Sequence, residues 1–380
     1  MNVLCVSPVV PWPLLSGGRI RTYQLLRHLR QRGISVHLRA VRDEAWTPEC
    51  DARLAEHCES VRSFPRSAAG VIERLKMPKQ ERWFHSNALV SHLASELQGS
   101  NFDCIQADEL FIATALPKNL TAPVVVQHHK LDVEFAQATG SSALDIAKLR
   151  RLESALAARH AHHIVCSDED AQRLAARHPA LHTHVVPNGV DTHAFALTPD
   201  ALRESGRLLF VGSLDYAPNI RAVREFVRDV LPRVQAQRTD ARLAIVGARP
   251  VSEVHALASK DVSVVGEVAD VRTELARASV CVVPLTIGGG SRLKIAEALA
   301  AGCPIVSTTV GAEGLPVRDG EHISLADDPD AFAAACLRVL AERPIEQVAR
   351  GRELAERELT WAQMAERLEA TWNSARLARI

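Results

Sequence analysis

The residues best placed to do chemistry lie between Val283 and Val310. An apolar run, Cys281–Val283, ends at Pro284. Gly288, Gly289, Gly290 and Ser291 follow, and a helical pattern then carries Arg292, Lys294 and Glu297. Glycines let a ligand approach the backbone closely and turn amide N–H groups outward. The first free N–H groups of a helix point the same way, and the helix dipole adds partial positive charge. That dipole disfavours cations in the first turn, so Arg292 and Lys294 make sense there if an anion such as a diphosphate is bound. Only seven of the 45 basic residues are Lys, which singles out Lys294. Glu297 stands about one further turn along, where a carboxylate can accept two ribose hydroxyls. Gly302 reads as a C-cap and Pro304 opens the next strand. The loop is neither a Walker A sequence nor a G-x-G-x-x-G fingerprint. As structure alone it would be a plain strand–loop–helix with a surface Arg and Lys. Three successive glycines and a scarce Lys weigh against that.

A second candidate is Val124–Glu134, which places His128 and His129 just past an apolar strand. His128 follows the strand directly and ranks first, with Asp132 and Glu134 as weaker candidates. The bland alternative is a pair of exposed loop histidines. Other signals carry less. Asp168, Glu169 and Asp170 spell D-x-D, but they follow Ser167 and open a helix, as a capping box does. His160, His162 and His163 lack the further ligands a metal site needs. Asp327–Asp328–Pro329 is a helix entry. No metal site is expected.

These residues sit in a frame of alternating strands and helices. Strand-like runs fall at Val3–Val6, Ser35–Ala40, Cys104–Gln106, Pro123–Gln127 and His163–Cys166 in the first half. The second half has Leu208–Val211, Arg242–Val246, Val262–Val265, Val280–Val283 and Pro304–Ser307. Many are continuous apolar runs, as parallel strands buried on both faces are. Helical patterns such as Arg19–Gln31 and Asn219–Ala236 separate them, which predicts α/β architecture. The strand–loop–long-helix opening occurs twice, and 187–206 has a linker composition. Two doubly wound Rossmann-like domains are therefore expected, at 1–190 and 191–359. After Asp328 three helical patterns follow, and the last carries an apolar stripe, Trp361, Met364, Leu368 and Trp372.

Composition sets limits. With 47% apolar and 24% charged residues, long-range disorder is excluded. Equal numbers of acids and bases, 45 each, argue against a nucleic-acid partner bound by bulk charge. Pro8, Pro11 and Pro13 and the lack of a leading basic residue argue against a signal peptide, and no apolar run is long enough to span a bilayer. The eight Cys stand apart and read as buried apolar residues in a reducing, cytoplasmic setting. Between Arg62 and Phe84, Arg66, Arg74, Lys76, Lys79 and Arg82 interleave with Phe64, Trp83 and Phe84. That mixture suits an anionic membrane surface, or else a solvated loop with a few core anchors.

The ordered set of motifs resembles the retaining GT-B glycosyltransferases of family 4. It comprises a Pro-rich loop with Gly17–Gly18 before a helix, V-P-N-G-V-D at 186–191, V-G-S-L-D-Y-A-P-N at 211–219, I-V-G-A-R-P at 245–250, V-V-G-E-V-A-D-V at 264–271 and the glycine-loop run to Val306. The resemblance is strong over 186–316 and thin over 45–100. It implies a metal-independent, cofactor-free enzyme that moves a sugar from a nucleotide diphosphate sugar to a hydroxyl acceptor, in a cleft between the two domains. Gly212, Gly266, Glu267 and Val268 would line the donor, with the backbone of 266–268 meeting the base. Arg292 and Lys294 would hold the diphosphate, and Glu297 the ribose. Gly17 and Gly18 would face the donor phosphates. His128 or His129 would orient the acceptor or bond the sugar. The final helices, 360–380 above all, would cross back to the N-terminal, acceptor-binding domain. One departure stands out: the family's E-x7-E places its first Glu at residue 289, which is Gly here. Backbone N–H groups of 288–290 would then meet the sugar, or the sugar differs. A non-catalytic nucleotide-sugar binder and a nucleotide-sugar epimerase are the alternatives. The acceptor class stays open among glycans, lipid-linked molecules and natural products, with association at a membrane face implied weakly.

Overall fold

A computed structural model describes residues 1–290 and 292–378. The chain divides into two compact units. One comprises Met1–Pro187 with the C-terminal segment from Trp361, and the other Asn188–Thr360.

The first unit is built on seven parallel strands: β1 (Asn2–Ser7), β2 (Ser35–Val41), β3 (Ser60–Phe64), β4 (Cys104–Ala107), β5 (Val124–Gln127), β6 (His162–Val165) and β7 (His182–Val185), in the order β3-β2-β1-β4-β5-β6-β7. The central strands β4 and β5 are buried throughout and mostly apolar, as strands covered on both faces are. Val3, Leu4, Val6, Ile105, Val125 and Val126 are fully buried. β1 sits where the strand order reverses, between β2 and β4. At such a switch point loops diverge, which is where α/β sheets form a crevice beyond the strands' carboxyl ends. Ser16 caps the helix Gly17–Gln31, its Oγ accepting the Arg19 N–H.

That helix receives the terminal helix Trp361–Leu377. Trp361, Met364, Leu368 and Trp372 are all buried, so the apolar stripe finds its surface here. The Trp372 indole N–H donates to Gln106 Oε1 at 2.8 Å, which satisfies the polar atom that its burial would otherwise strand. Of the three terminal helices only this one returns. Helices Pro329–Glu342 and Ile345–Glu358 belong to the second unit.

The second unit carries six parallel strands: β8 (Arg207–Val211), β9 (Arg242–Val246), β10 (Val262–Gly266), β11 (Val280–Val283), β12 (Ile305–Ser307) and β13 (Ser324–Leu325), in the order β10-β9-β8-β11-β12-β13. The reversal falls between β8 and β11. Their carboxyl ends are followed by the 212–219 segment and the glycine loop. The expected helix Asn219–Ala236 is interrupted. It runs Ala217–Glu225, passes through a π turn at Phe226–Val230, and resumes as Leu231–Gln235. Pro232 has no N–H to give, so the ladder must open just before it. Strands β3, β7 and β13 were not expected from the sequence. They are short and lie at or next to sheet edges, where one-sided burial leaves no continuous apolar run.

All eight Cys are buried thiols. Among the described residues no helix is long and apolar enough to cross a membrane, and no group of three or more His, Cys, Asp or Glu side chains is placed to hold a metal ion.

Candidate functional site

In the second unit three adjacent strands end in glycine. Gly212 follows β8, Gly247 follows β9, and Gly266 closes β10. The Gly212 N–H reaches Val246 O at 3.0 Å, and the Gly247 N–H reaches Gly266 O at 2.8 Å. Gly247 has φ +154°, and a Cβ on it would overlap the Gly212 carbonyl. Only glycine fits there. A Cβ on Gly212 would stand 2.6 Å from Asn219 Nδ2 and 2.9 Å from Lys294 Nζ. The bare backbone at 212 is what admits both polar heads.

Lys294 is held by two neighbours. Its ammonium donates to Asn219 Oδ1 at 3.0 Å and lies 4.6 Å from the centre of the Phe210 ring. Asn219 is itself fixed by donating to Ser213 O at 2.9 Å. Burial pushes the Lys294 ammonium down to about 8, with the Arg292 charge acting in the same direction. One turn on, burial pushes the Glu297 carboxyl up to about 7, against the pull of Lys294. Both groups are thus poised near neutrality, where a bound anion or hydroxyl donor can tip them.

Arg292 is not in the first turn. The helix spans Leu293–Ala300, and Arg292 is its N-cap residue. Its buried guanidinium folds back on the loop, donating to the carbonyls of Gly289, Gly290 (2.5 Å) and Val310 (3.3 Å). A Cβ on Gly288 would overlap that guanidinium, and Gly290 adopts φ +70°. The three glycines therefore wrap the loop around an arginine. Ser291 lies outside the described residues. Beyond Gly266 (φ +77°), Glu267 is exposed and Val268 half-buried. Asn219 and Gly247 were not singled out from the sequence. Both stand inside recognised motifs, as the last residue of V-G-S-L-D-Y-A-P-N and the glycine of I-V-G-A-R-P.

In the first unit Gly17 and Gly18 open their helix with no acid in the first turn, which leaves its N-terminal field uncompensated. Gly17 is exposed. A Cβ on Gly18 would stand 3.2 Å from His129 Nδ1. The other nitrogen of His129, Nε2, lies 3.2 Å from Asp108 Oδ1.

The two histidines have different surroundings. His128 is 1% exposed, and its Nε2 lies 2.8 Å from His163 Nδ1 in a stacked pair. Burial, with Arg177 next, pushes its imidazole down to about 3. Its amide completes the sheet by donating to Ile164 O at 2.8 Å. Alternation along the chain sends 128 inward and 129 outward. His163 Nε2 continues the chain to His160 O at 3.1 Å, so these histidines are an internal hydrogen-bonded row. Asp132 is buried against Lys130 at 2.9 Å, and Glu134 pairs with Arg177. Ser167 Oγ accepts the Asp170 N–H at 3.0 Å, the cap expected for the D-x-D.

Elsewhere on the first unit the helix Val71–Lys76 has all six residues exposed. Val71, Ile72 and Leu75, with nearby Trp83, are 69–77% exposed. Arg74, Lys76 and Lys79 are exposed beside them.

Comparison with known proteins agrees on the family. Residues 15–194 match the model described as Glycosyltransferase Family 4, and residues 205–342 match Glycosyl transferases group 1. The phosphatidyl-myo-inositol mannosyltransferase of Mycobacterium tuberculosis is 32% identical over 160 residues, 40% of this chain and 42% of that protein. Its Mycobacterium leprae counterpart is 30% identical over 196 residues, 48% of this chain and 51% of that protein. The chain thus aligns with about half or less of these relatives' length. Among solved structures, sucrose-phosphate synthase from Thermosynechococcus elongatus superposes with TM-score 0.75 at 20% identity, over 100% of both chains. Anabaena Alr3699/HepE in complex with UDP and glucose gives 0.72 at 14% identity, over 98% of this chain and 100% of that one. These structural likenesses speak to the fold, two parallel α/β units of the GT-B kind. With a family model on each unit and that fold throughout, the chain belongs to the family 4, group 1 glycosyltransferases.

Proposed function

We propose that the protein is a retaining glycosyltransferase that takes its sugar from a nucleotide diphosphate sugar and passes it to a hydroxyl acceptor. The observation that carries this is Lys294, half-buried and fixed by Asn219 beside the bare backbone of Gly212, at the carboxyl ends of the second unit's strands. A diphosphate there would meet the ammonium and the N–H groups that open the helix Leu293–Ala300. Arg292 shapes the loop and adds charge beneath it. As the glycosidic bond breaks, negative charge grows on the departing diphosphate, and preorganised positive groups stabilise it without a metal ion. Glu297 would accept the ribose hydroxyls, and the backbone of Gly266, Glu267 and Val268 would border the base. The open helix start at Gly17–Gly18 and His129 supply the first unit's polar contacts.

The acceptor we propose is lipid-linked and reached at an anionic membrane face. Val71, Ile72, Leu75 and Trp83 would enter the interface while Arg74, Lys76 and Lys79 meet the head groups. The mycobacterial relatives are named for a phosphatidyl-myo-inositol acceptor, which fits this choice. Flotation with vesicles containing or lacking anionic lipid tests it; equal recovery would remove the membrane.

A thermal-shift screen of nucleoside diphosphates and nucleotide sugars, run with EDTA, tests the donor side. Ligands of the native state raise the melting temperature. Gly289, in place of a carboxylate, favours as second reading a binder without turnover. Consumption of the donor that gives the shift separates the two.

A further inference from the structure

At the strand ends of the first unit one buried carboxyl group has no role in the function proposed above. Asp108 follows β4 and is 3% exposed. Its Oδ2 accepts from Thr22 Oγ1 at 2.6 Å and lies 3.3 Å from Ser7 Oγ, while Oδ1 faces His129 Nε2 at 3.2 Å. The end of β1, the helix Gly17–Gln31 and the loop after β5 thus converge on one side chain. Its neighbour Glu109 has φ +153°, a conformation that side chains rarely adopt. Surrounding contacts must hold such strain in place, and it gathers where geometry matters.

A carboxylate only accepts hydrogen bonds, so in the neutral imidazole of His129 the proton sits on Nε2 and Nδ1 keeps a lone pair. Nδ1 faces Gly18, 3.2 Å from where a Cβ would stand. His129 keeps 16% of its side chain exposed while Asp108 is sealed. The ring is therefore gripped at Nε2 by a sealed carboxylate while the side chain stays partly exposed.

We propose that Asp108 is a positioning residue that fixes His129 as the Nε2–H tautomer, so that Nδ1 accepts a hydrogen bond from a substrate hydroxyl. This rests on the transferase reading. The hydroxyl belongs to the donor sugar or to the acceptor. If to the donor, loss of His129 slows both donor hydrolysis without acceptor and transfer; if to the acceptor, transfer alone.

The test is Asp108→Asn, because an amide can present N–H to Nε2 and favour the opposite tautomer. Protein labelled with 15N-histidine, with His129→Ala to assign the signal, reports the tautomer on the free protein. A panel of UDP-, GDP- and ADP-sugars serves as donor probe. The wild type is expected to show Nε2–H at His129, and Asp108→Asn a shift toward Nδ1–H. Its kcat is expected to fall about 10- to 100-fold, with the donor KM within about twofold. His129→Ala should cost as much alone as together with Asp108→Asn. Gly18→Ala, which crowds Nδ1, should lower kcat and leave the tautomer unchanged; this arm and the wild-type tautomer decide the matter even if Asp108→Asn does not fold. An Nδ1–H wild type, an unchanged kcat in Asp108→Asn, or losses that multiply in the double variant would overturn the proposal. A chain that turns over no donor would instead overturn the transferase reading, with the tautomer still judging Asp108.

Discussion

The two units build their polar sites from opposite materials. In the second, the strand ends are stripped to backbone at Gly212, Gly247 and Gly266, and one glycine loop is wound around Arg292. In the first, side chains from three separate elements interlock on Asp108. A site of bare backbone fails when an atom is added. A site of interlocked side chains fails when an atom changes kind. The difference suits the ligands proposed: diphosphates are met by many N–H groups and charge, while a hydroxyl needs one lone pair aimed well.

The largest expected effect comes from adding atoms to the second unit. Gly247→Ala combines a φ of +154° with overlap on the Gly212 carbonyl. It should cost about 3 kcal/mol or more, read as a loss of melting temperature that ligand does not restore. If the melting temperature holds, the strand ends are looser than described.

Next is the charge at the loop. Lys294→Ala should weaken nucleoside diphosphate binding by about 1.5–3 kcal/mol, roughly 10- to 150-fold in Kd, with little change in melting temperature of the free protein. Titration calorimetry checks this directly.

The same affinity should depend on pH in a definite way. A bound diphosphate favours charged Lys294, whose free ammonium titrates at about 8. Hydroxyl donors favour ionised Glu297, whose free carboxyl titrates at about 7. Binding must therefore take up a proton above about 8 and release one below about 7. Affinity should be greatest between these values and fall outside them by up to about tenfold per pH unit. Flat affinity from pH 6 to 9 would remove both groups from the ligand.

The last effects sharpen the first unit. His128→Ala leaves His163 Nδ1 without its partner and should cost about 1–3 kcal/mol of stability while kcat of the folded protein persists. His129→Ala should do the reverse. Equal behaviour of the two would erase the inward–outward distinction drawn between them.

Much of this was legible in the sequence, and unevenly so. The central strands of both sheets and the Trp361–Trp372 stripe declare themselves because buried strands and amphipathic helices impose their own periods. The residues proposed for the donor were legible as a group for a related reason. Gly288–Gly290, Lys294 and Glu297 are neighbours in sequence, so local spacing carries their geometry. Asp108 was invisible because its partners Ser7, Thr22 and His129 are scattered along the chain. The choice between His128 and His129 turned on which way one residue points past the end of β5, and spacing alone does not settle that. Arg292 was placed one position too far into its helix, because sequence did not show its guanidinium turning back to the loop carbonyls.

The most direct test is the binding of UDP, GDP and ADP, in EDTA, to the wild type and to Lys294→Ala. The account predicts that at least one nucleotide binds the wild type without metal and that Lys294→Ala loses at least tenfold in affinity. Undiminished binding to Lys294→Ala, or binding abolished by EDTA in the wild type, would contradict it.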